Sequence, residues 1–228
     1  MRIRDLTTEA EKNTSASREI SKVLTQAGYK KLGSGADATV WAKDEGSVFK
    51  ILMPDDATSA AAETFKSFYN FCQQHKDIAC LPRFMAIGAD GQHHKTFNIG
   101  DREFTLVSME RLHPIRKNTF AEGMVWFLSD YAMTNNSWDQ VKEELSDPGI
   151  WVSSEHFSRY ANQFASKVDS MSPAEEEQYA TLYTVMQILY KTGQINKIGW
   201  DLHTENVMQR KDGTLVIVDP WFDSEQAR

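Results

Sequence analysis

The stretch IGWDLHTENVMQRKDGTLVIVDPWF, residues 198–222, decides how the rest of the chain is read. Lys211-Asp212-Gly213-Thr214 separates NVMQR from the apolar run LVIVD, and Asp-Gly between two such runs is a strong hairpin signal. Asp201 and Asn206 lie five residues apart in a loop without periodicity, and Asp219 follows thirteen residues later at the end of the apolar strand. A hairpin here folds Asp219 back beside Asn206, so that two carboxylates and one amide oxygen converge. Such a set suits a hard cation like Mg2+ that keeps phosphate and water among its ligands. The same residues also suit a plain structural reading, in which Asp201 and Asn206 cap a loop and Asp219 ends a strand.

Further towards the N-terminus, short β-rich pieces bounded by Gly or acidic residues begin near Gly28: YKKLGSG, ATVWAK and GSVFKIL. Residues 56–74 read as a helix, because Phe65, Phe68, Phe71 and Cys72 recur at spacings of three and four. Two more strands are expected, RFMAIG at 83–88 and REFTLVSME at 102–110, joined by the polar loop ADGQHHKTFN. After His113-Pro114 the pattern turns helical, over 120–133, 155–168 and a helix opened by the capping box Ser172-Pro173-Ala174-Glu175 that ends near Gly193. The expected fold class is therefore α+β and two-lobed. Residues 1–27 form a polar or helical lead-in, 28–112 an antiparallel five-stranded lobe with one helix, and 113–228 a mostly helical lobe carrying the final hairpin.

Composition narrows the function classes. The 228 residues carry 25 Lys and Arg against 32 Asp and Glu, a net charge of −7, which argues against a general nucleic-acid coat. No apolar run approaches the roughly 20 residues needed to span a bilayer, and the N-terminus has no apolar signal core. A cytoplasmic protein without membrane or nucleic-acid partners is expected. Cys72 and Cys80 cannot build a disulfide framework and read as buried small side chains.

Two further features carry chemistry. Gly33 and Gly35, in LGSGADATVW, allow backbone N–H groups to approach an anion closely, though short Gly turns between strands are mostly only turns. Lys50 sits at the centre of the apolar strand VFKIL, where its charge needs either an outward-facing position or a partner. Glu63 is the acidic residue within the following helix and the natural candidate for that partner.

Taken in order, Gly loop, strand lysine, helix glutamate, apolar strand into Met-Glu, D-x4-N, hairpin and aspartate resemble the protein-kinase superfamily over about residues 28–112 and 195–222. The resemblance implies ATP and Mg2+ as cofactors. It implies a nucleotide site of Gly33, Ser34, Gly35, Ala36, Val40, Val48 and Lys50, with Met109 as gatekeeper and the Glu110 and Leu112 backbones at adenine. Glu63 would hold Lys50, Asp201 would be the catalytic aspartate, and Asn206 and Asp219 the metal ligands.

The departures bear on substrate. Gly199-Trp200 stands where protein kinases carry His-Arg, the D-F-G-like site reads Asp219-Pro220-Trp221, and nine residues follow Asp219, so no activation segment is expected. His203 replaces a usual lysine and is typical of aminoglycoside- and choline-type phosphotransferases. The motifs W-D-L-H-T-E-N and V-D-P are most similar to the early Ser/Thr protein kinases of short-tailed coliphages. That resemblance implies phosphorylation of Ser/Thr in host proteins, inside the host bacterial cytoplasm. The alternatives are a small-molecule phosphotransferase and a pseudokinase-like protein that inhibits a host factor by contact.

Overall fold

A computed structural model describes residues 17–34, 38–52, 60–99, 102–147, 149, 164 and 167–222. The chain divides into two compact units, Met1–Ser67 with Arg83–Arg111 and Phe68–Pro82 with Leu112–Arg228. Residues 68–82 thus group with the second unit, although they lie inside the stretch 28–112 assigned to the first lobe from sequence.

The first unit is built on one antiparallel sheet of β1 (Lys30–Ser34), β2 (Ala38–Ala42), β3 (Ser47–Leu52), β4 (His94–Ile99) and β5 (Arg102–Glu110) in the order β1-β2-β3-β5-β4. This is the expected α+β arrangement, with one strand displaced. The fourth strand is not 83–88 but 94–99, within the presumed polar loop. His94–Ile99 alternates between exposed and half-buried positions, as an edge strand with one solvated face does, and pairs along its whole length with β5. Residues 83–88 contribute only the bridge Phe84–Met109.

Register assigns the two faces of the sheet, because residues directly opposite each other in antiparallel strands share a face. Val40 opposes Lys50, Lys50 opposes Val107, and Val48 opposes Met109, so Val40, Val48, Lys50 and Met109 all lie on one face. The other face carries Trp41, Ile51 and Phe104. A helix over 17–26, α1, covers it with Ile20, 5% exposed, and with Leu24. The helical part of the lead-in thus packs on the sheet, and burying one such isoleucine contributes about 1.5–3 kcal/mol.

Helix α2 (Ala60–Gln74) follows β3 and turns Phe65, Phe68 and Cys72 inward at the expected spacing. Phe65 meets Phe84 edge-on in the first unit. Phe68 and Cys72 belong to the second unit, where Phe68 packs edge-on against Trp221.

The second unit is organised around α5 (Pro173–Asn196), which buries Leu182, Tyr183, Val185, Met186 and Leu189. Against it stand α3 (Phe120–Tyr131), with Met124, Val125, Phe127 and Leu128 buried, and α4 (Trp138–Leu145), with Val141 and Leu145 buried. The box at the start of α5 is complete: Ser172 Oγ accepts from the Glu175 amide, and the Glu175 carboxylate accepts from the Ser172 amide at 2.9 Å. Helix α4 escaped the sequence reading, although Ser137 and Gln140 form the same kind of box. The candidate helix at 155–168 falls mostly outside the described residues.

Three short strand pairs complete this unit: β6 (His113–Pro114) with β8 (Val207–Gln209), β8 with β9 (Leu215–Ile217), and β7 (Gly199–Trp200) with β10 (Trp221–Phe222). The β8–β9 turn uses Gly213 at φ +91°, a conformation that favours glycine. On the far edge of β9 the Ile217 amide donates to the Cys80 carbonyl at 2.9 Å, and the Arg210 guanidinium donates to the carbonyls of Ala79 and Leu81. Cys80 and Cys72 are buried, and burial pushes both thiols well above their ordinary range, Cys80 to about 12. Among the described residues no helix is long and apolar enough to cross a membrane.

Candidate phosphoryl-transfer site

The hairpin brings together the three residues singled out at 198–222. The Val218 amide donates to the Asn206 carbonyl at 2.9 Å, which sets Asp219 one residue beyond Asn206 across the ladder. The β7–β10 pair then closes the other end, where the Asp201 amide donates to the Pro220 carbonyl at 2.9 Å. Asp201 and Asp219 therefore leave neighbouring strand ends, and Asn206 lies between them in chain order and in hydrogen bonding.

The loop from Asp201 to Asn206 is held by its own polar groups. Asn206 Nδ2 donates to the Asp201 carbonyl at 2.6 Å and lies 3.3 Å from Asp201 Oδ2. With the NH2 end of the amide on these oxygens, the carbonyl end, Oδ1, is left as an acceptor. The Asn206 amide N–H donates to the His203 carbonyl at 2.9 Å, closing the turn. His203 Nδ1 accepts from the Glu205 amide at 3.2 Å, while its Nε2 lies 3.9 Å from Asp201 Oδ2 and 3.2 Å from Asn206 Nδ2.

This donor set fits a hard divalent cation. Asn206 Oδ1 and the Asp219 carboxylate would offer oxygen donors, too few to fill a coordination shell, and so would leave room for phosphate oxygens and water. Among the described residues no group of three or more His, Cys, Asp or Glu forms a self-sufficient metal centre. A cation here would depend on oxygens that a bound phosphate brings.

Close packing fixes the ends of the loop. A Cβ on Gly199 would overlap the Phe222 ring at Cζ, so the ring lies directly on the glycine. Trp221 is buried, donates Nε1–H to the Leu189 carbonyl at 3.0 Å, and presses on Gly193 of α5. One contact gave no signal in the sequence: Ser129, within α3, donates its hydroxyl to the carbonyl of Leu202. A serine in an apolar helical stripe has no spacing that announces a distant partner.

In the first unit, Gly33 and Ser34 end β1 and oppose Val40 and Thr39 of β2. The pairing slips between Lys31 and Gly33, and nothing stands within 4 Å of where a Gly33 Cβ would be. Gly35 and Ala36 lie outside the described residues. Met109 is 7% exposed beside Val48. The Glu110 amide donates to the Arg83 carbonyl at 2.9 Å, and its carboxylate accepts from the Arg83 amide at 2.8 Å. Leu112 is buried in the second unit.

One expectation requires correction. Glu63 does not pair with Lys50: its carboxylate is exposed and lies 3.5 Å from Lys66 Nζ on the same helix. Helix phase is the cause. Glu63 precedes Phe65 by two residues, about 200° around the axis, and so faces away from the side that carries Phe65. Lys50 Nζ lies instead over the Phe65 ring, 4.7 Å from its centroid, a cation–π placement on the same sheet face as Val40 and Val48.

No family model matches this sequence, and no curated protein matches it. Solved structures do. An amicoumacin kinase solved with AMP-PNP, Ca2+ and Ami is 15% identical over 93% of this chain and 65% of that one, with a TM-score of 0.42. A microcompartment-associated aminopropanol kinase is 13% identical over 84% of this chain and 63% of its own, at TM-score 0.39. An aminoglycoside phosphotransferase from Alicyclobacillus acidocaldarius subsp. acidocaldarius DSM 446 is 13% identical over 84% of this chain and 62% of its own, at TM-score 0.35. This chain spans less than two thirds of the length of each of these three similar proteins.

Proposed function

We propose that the protein transfers the γ-phosphate of ATP to a hydroxyl acceptor, with Ser/Thr of a protein as the leading acceptor class. The observation that supports this reading is the backbone-closed Asp201–Asn206–Asp219 arrangement, in which Asn206 donates its NH2 to the Asp201 carbonyl and its Oδ1 is left as an acceptor. Asn206 and Asp219 would hold Mg2+, whose contribution is to neutralise charge on the phosphate oxygens. Lys50 would grip phosphate oxygens, and Gly33–Val40 would cover them. Asp201 would orient the acceptor hydroxyl and take its proton. Phosphoryl transfer asks for little covalent participation by the protein, so positioning and electrostatics supply most of the rate.

The protein acceptor rests on the likeness of W-D-L-H-T-E-N and V-D-P to the phage kinases, which makes host proteins the candidate partners. A small-molecule acceptor is the second reading, and His203 favours it. An imidazole bonded to the Glu205 amide stands beside Asp201 where protein kinases place a flexible lysine. Incubation with labelled ATP and a bacterial lysate separates the two. Labelled protein bands support the first reading, and a labelled metabolite without such bands supports the second. No transfer to either, with biological effect intact in Asp201→Asn, supports a contact inhibitor instead.

A further inference from the structure

We propose that Ser129 is a positioning residue for this site, holding the Asp201–Asn206 loop to the helical core through the carbonyl of Leu202. The inference rests on the phosphotransferase reading above.

Ser129 is 4% exposed and, with Thr39 and Ser108, one of three buried polar residues among the described ones. A buried helical hydroxyl has a ready acceptor in the carbonyl four residues earlier on its own helix. Ser21, Ser67, Thr184 and Thr192 all take that option, at 2.8–3.0 Å. Ser129 instead donates to Leu202, 73 residues away. Leu202 is itself 6% exposed and joins Asp201 to His203.

The other hydrogen bonds described for the loop arise within residues 201–220, among them Asp201 to Pro220, Asn206 to His203, Glu205 to His203, Val218 to Asn206, and Asn206 to Asp201. Those bonds set the shape of the loop and its place on the hairpin. The Ser129 bond fixes it against α3. Without the hydroxyl the Leu202 carbonyl is buried and unpaired, and rotating its peptide to find water would carry Asp201 and His203 with it. A displaced Asp201 would misorient the acceptor, and a displaced Asn206 would weaken the hold on the cation. The effect therefore belongs in kcat and in the Mg2+ needed to reach it.

The test uses the full chain with Ser129→Ala and Ser129→Thr, the latter keeping the hydroxyl. ADP release from ATP, titrated with Mg2+, gives kcat, and amide hydrogen exchange reports on 201–206 and 218. Ser129→Ala should lower kcat roughly ten- to hundred-fold, as small misplacements do, and raise the Mg2+ needed for half-maximal rate. It should also speed exchange at Asp201 and Asn206 while α5 stays protected. Ser129→Thr should restore both. Where its added methyl prevents folding, Ser129→Cys, a weaker donor, should fall between wild type and Ala. Unchanged kcat with unchanged exchange in Ser129→Ala overturns the proposal. Wild-type turnover no greater than that of Asp201→Asn overturns the phosphotransferase reading and the catalytic part of this one, whereas exchange that stays slow overturns the tether alone.

Discussion

The side-chain amide of Asn206 donates to the Asp201 carbonyl and leaves its oxygen as an acceptor, two tasks that a carboxylate cannot combine. In Asn206→Asp an oxygen would face the Asp201 carbonyl and Oδ2, replacing a donated bond by repulsion. We expect ATP turnover to fall by about two orders of magnitude, a loss typical when a preorganised polar group is removed. Asn206→Ala should lose the cation ligand as well and need more Mg2+ for any residual rate. Mg2+ titration of ADP release checks both, and a variant with wild-type Mg2+ dependence would contradict the assignment. At the same scale, the raised Cys72 and Cys80 thiols should resist alkylation in the native protein and react only after denaturation, as mass spectrometry would read.

At the scale of the element, the start of α5 matters because its far end supports Trp221, and Gln178 on its second turn accepts from the Leu215 amide at 3.1 Å. Ser172→Ala removes the N-cap and should cost about 1 kcal/mol, read as a lower melting temperature. Glu175 is held down to about 2, first by the Ser172 amide, then by Lys167 and the Ser172 hydroxyl. The unfolded chain protonates this group first, near 4.5, so its contribution is full above that pH and fades as pH falls towards 2. Glu175→Gln should therefore flatten the acid limb of the stability curve, and an unchanged limb would contradict the cap. Gly199→Ala should drive a methyl into the Phe222 ring and disturb the β7–β10 clamp; melting temperature and ATP turnover should both fall. Elements with strong local signals, the Asp-Gly hairpin and the Ser172 box, were legible in the sequence. The strand at 94–99 was not, because its half-solvated alternation resembles a polar loop. The phase of Phe65, Phe68 and Cys72 already turned Glu63 outward, yet its being the only acid in the helix outweighed that phase.

For the whole molecule, an antiparallel sheet in one unit and helices with a hairpin in the other follow from where β-branched runs give way to helical spacing. The Asp201–Asn206–Asp219 group was legible because the hairpin turn set its register. The Ser129 tether was not, since it joins positions 73 residues apart through a main-chain atom that no side-chain pattern encodes. With a net charge of −7, the protein should not retard duplex DNA in a gel at physiological salt; a clear shift would contradict that expectation. The central claim, that this constellation drives phosphoryl transfer, is tested most directly by labelled γ-phosphate transfer in a bacterial lysate with wild type and Asp201→Asn side by side. The account expects Mg2+-dependent labelling by wild type and a loss of about 10²–10⁴-fold in the variant, which should keep the wild-type fold by circular dichroism. Labelling that survives Asp201→Asn undiminished would contradict it.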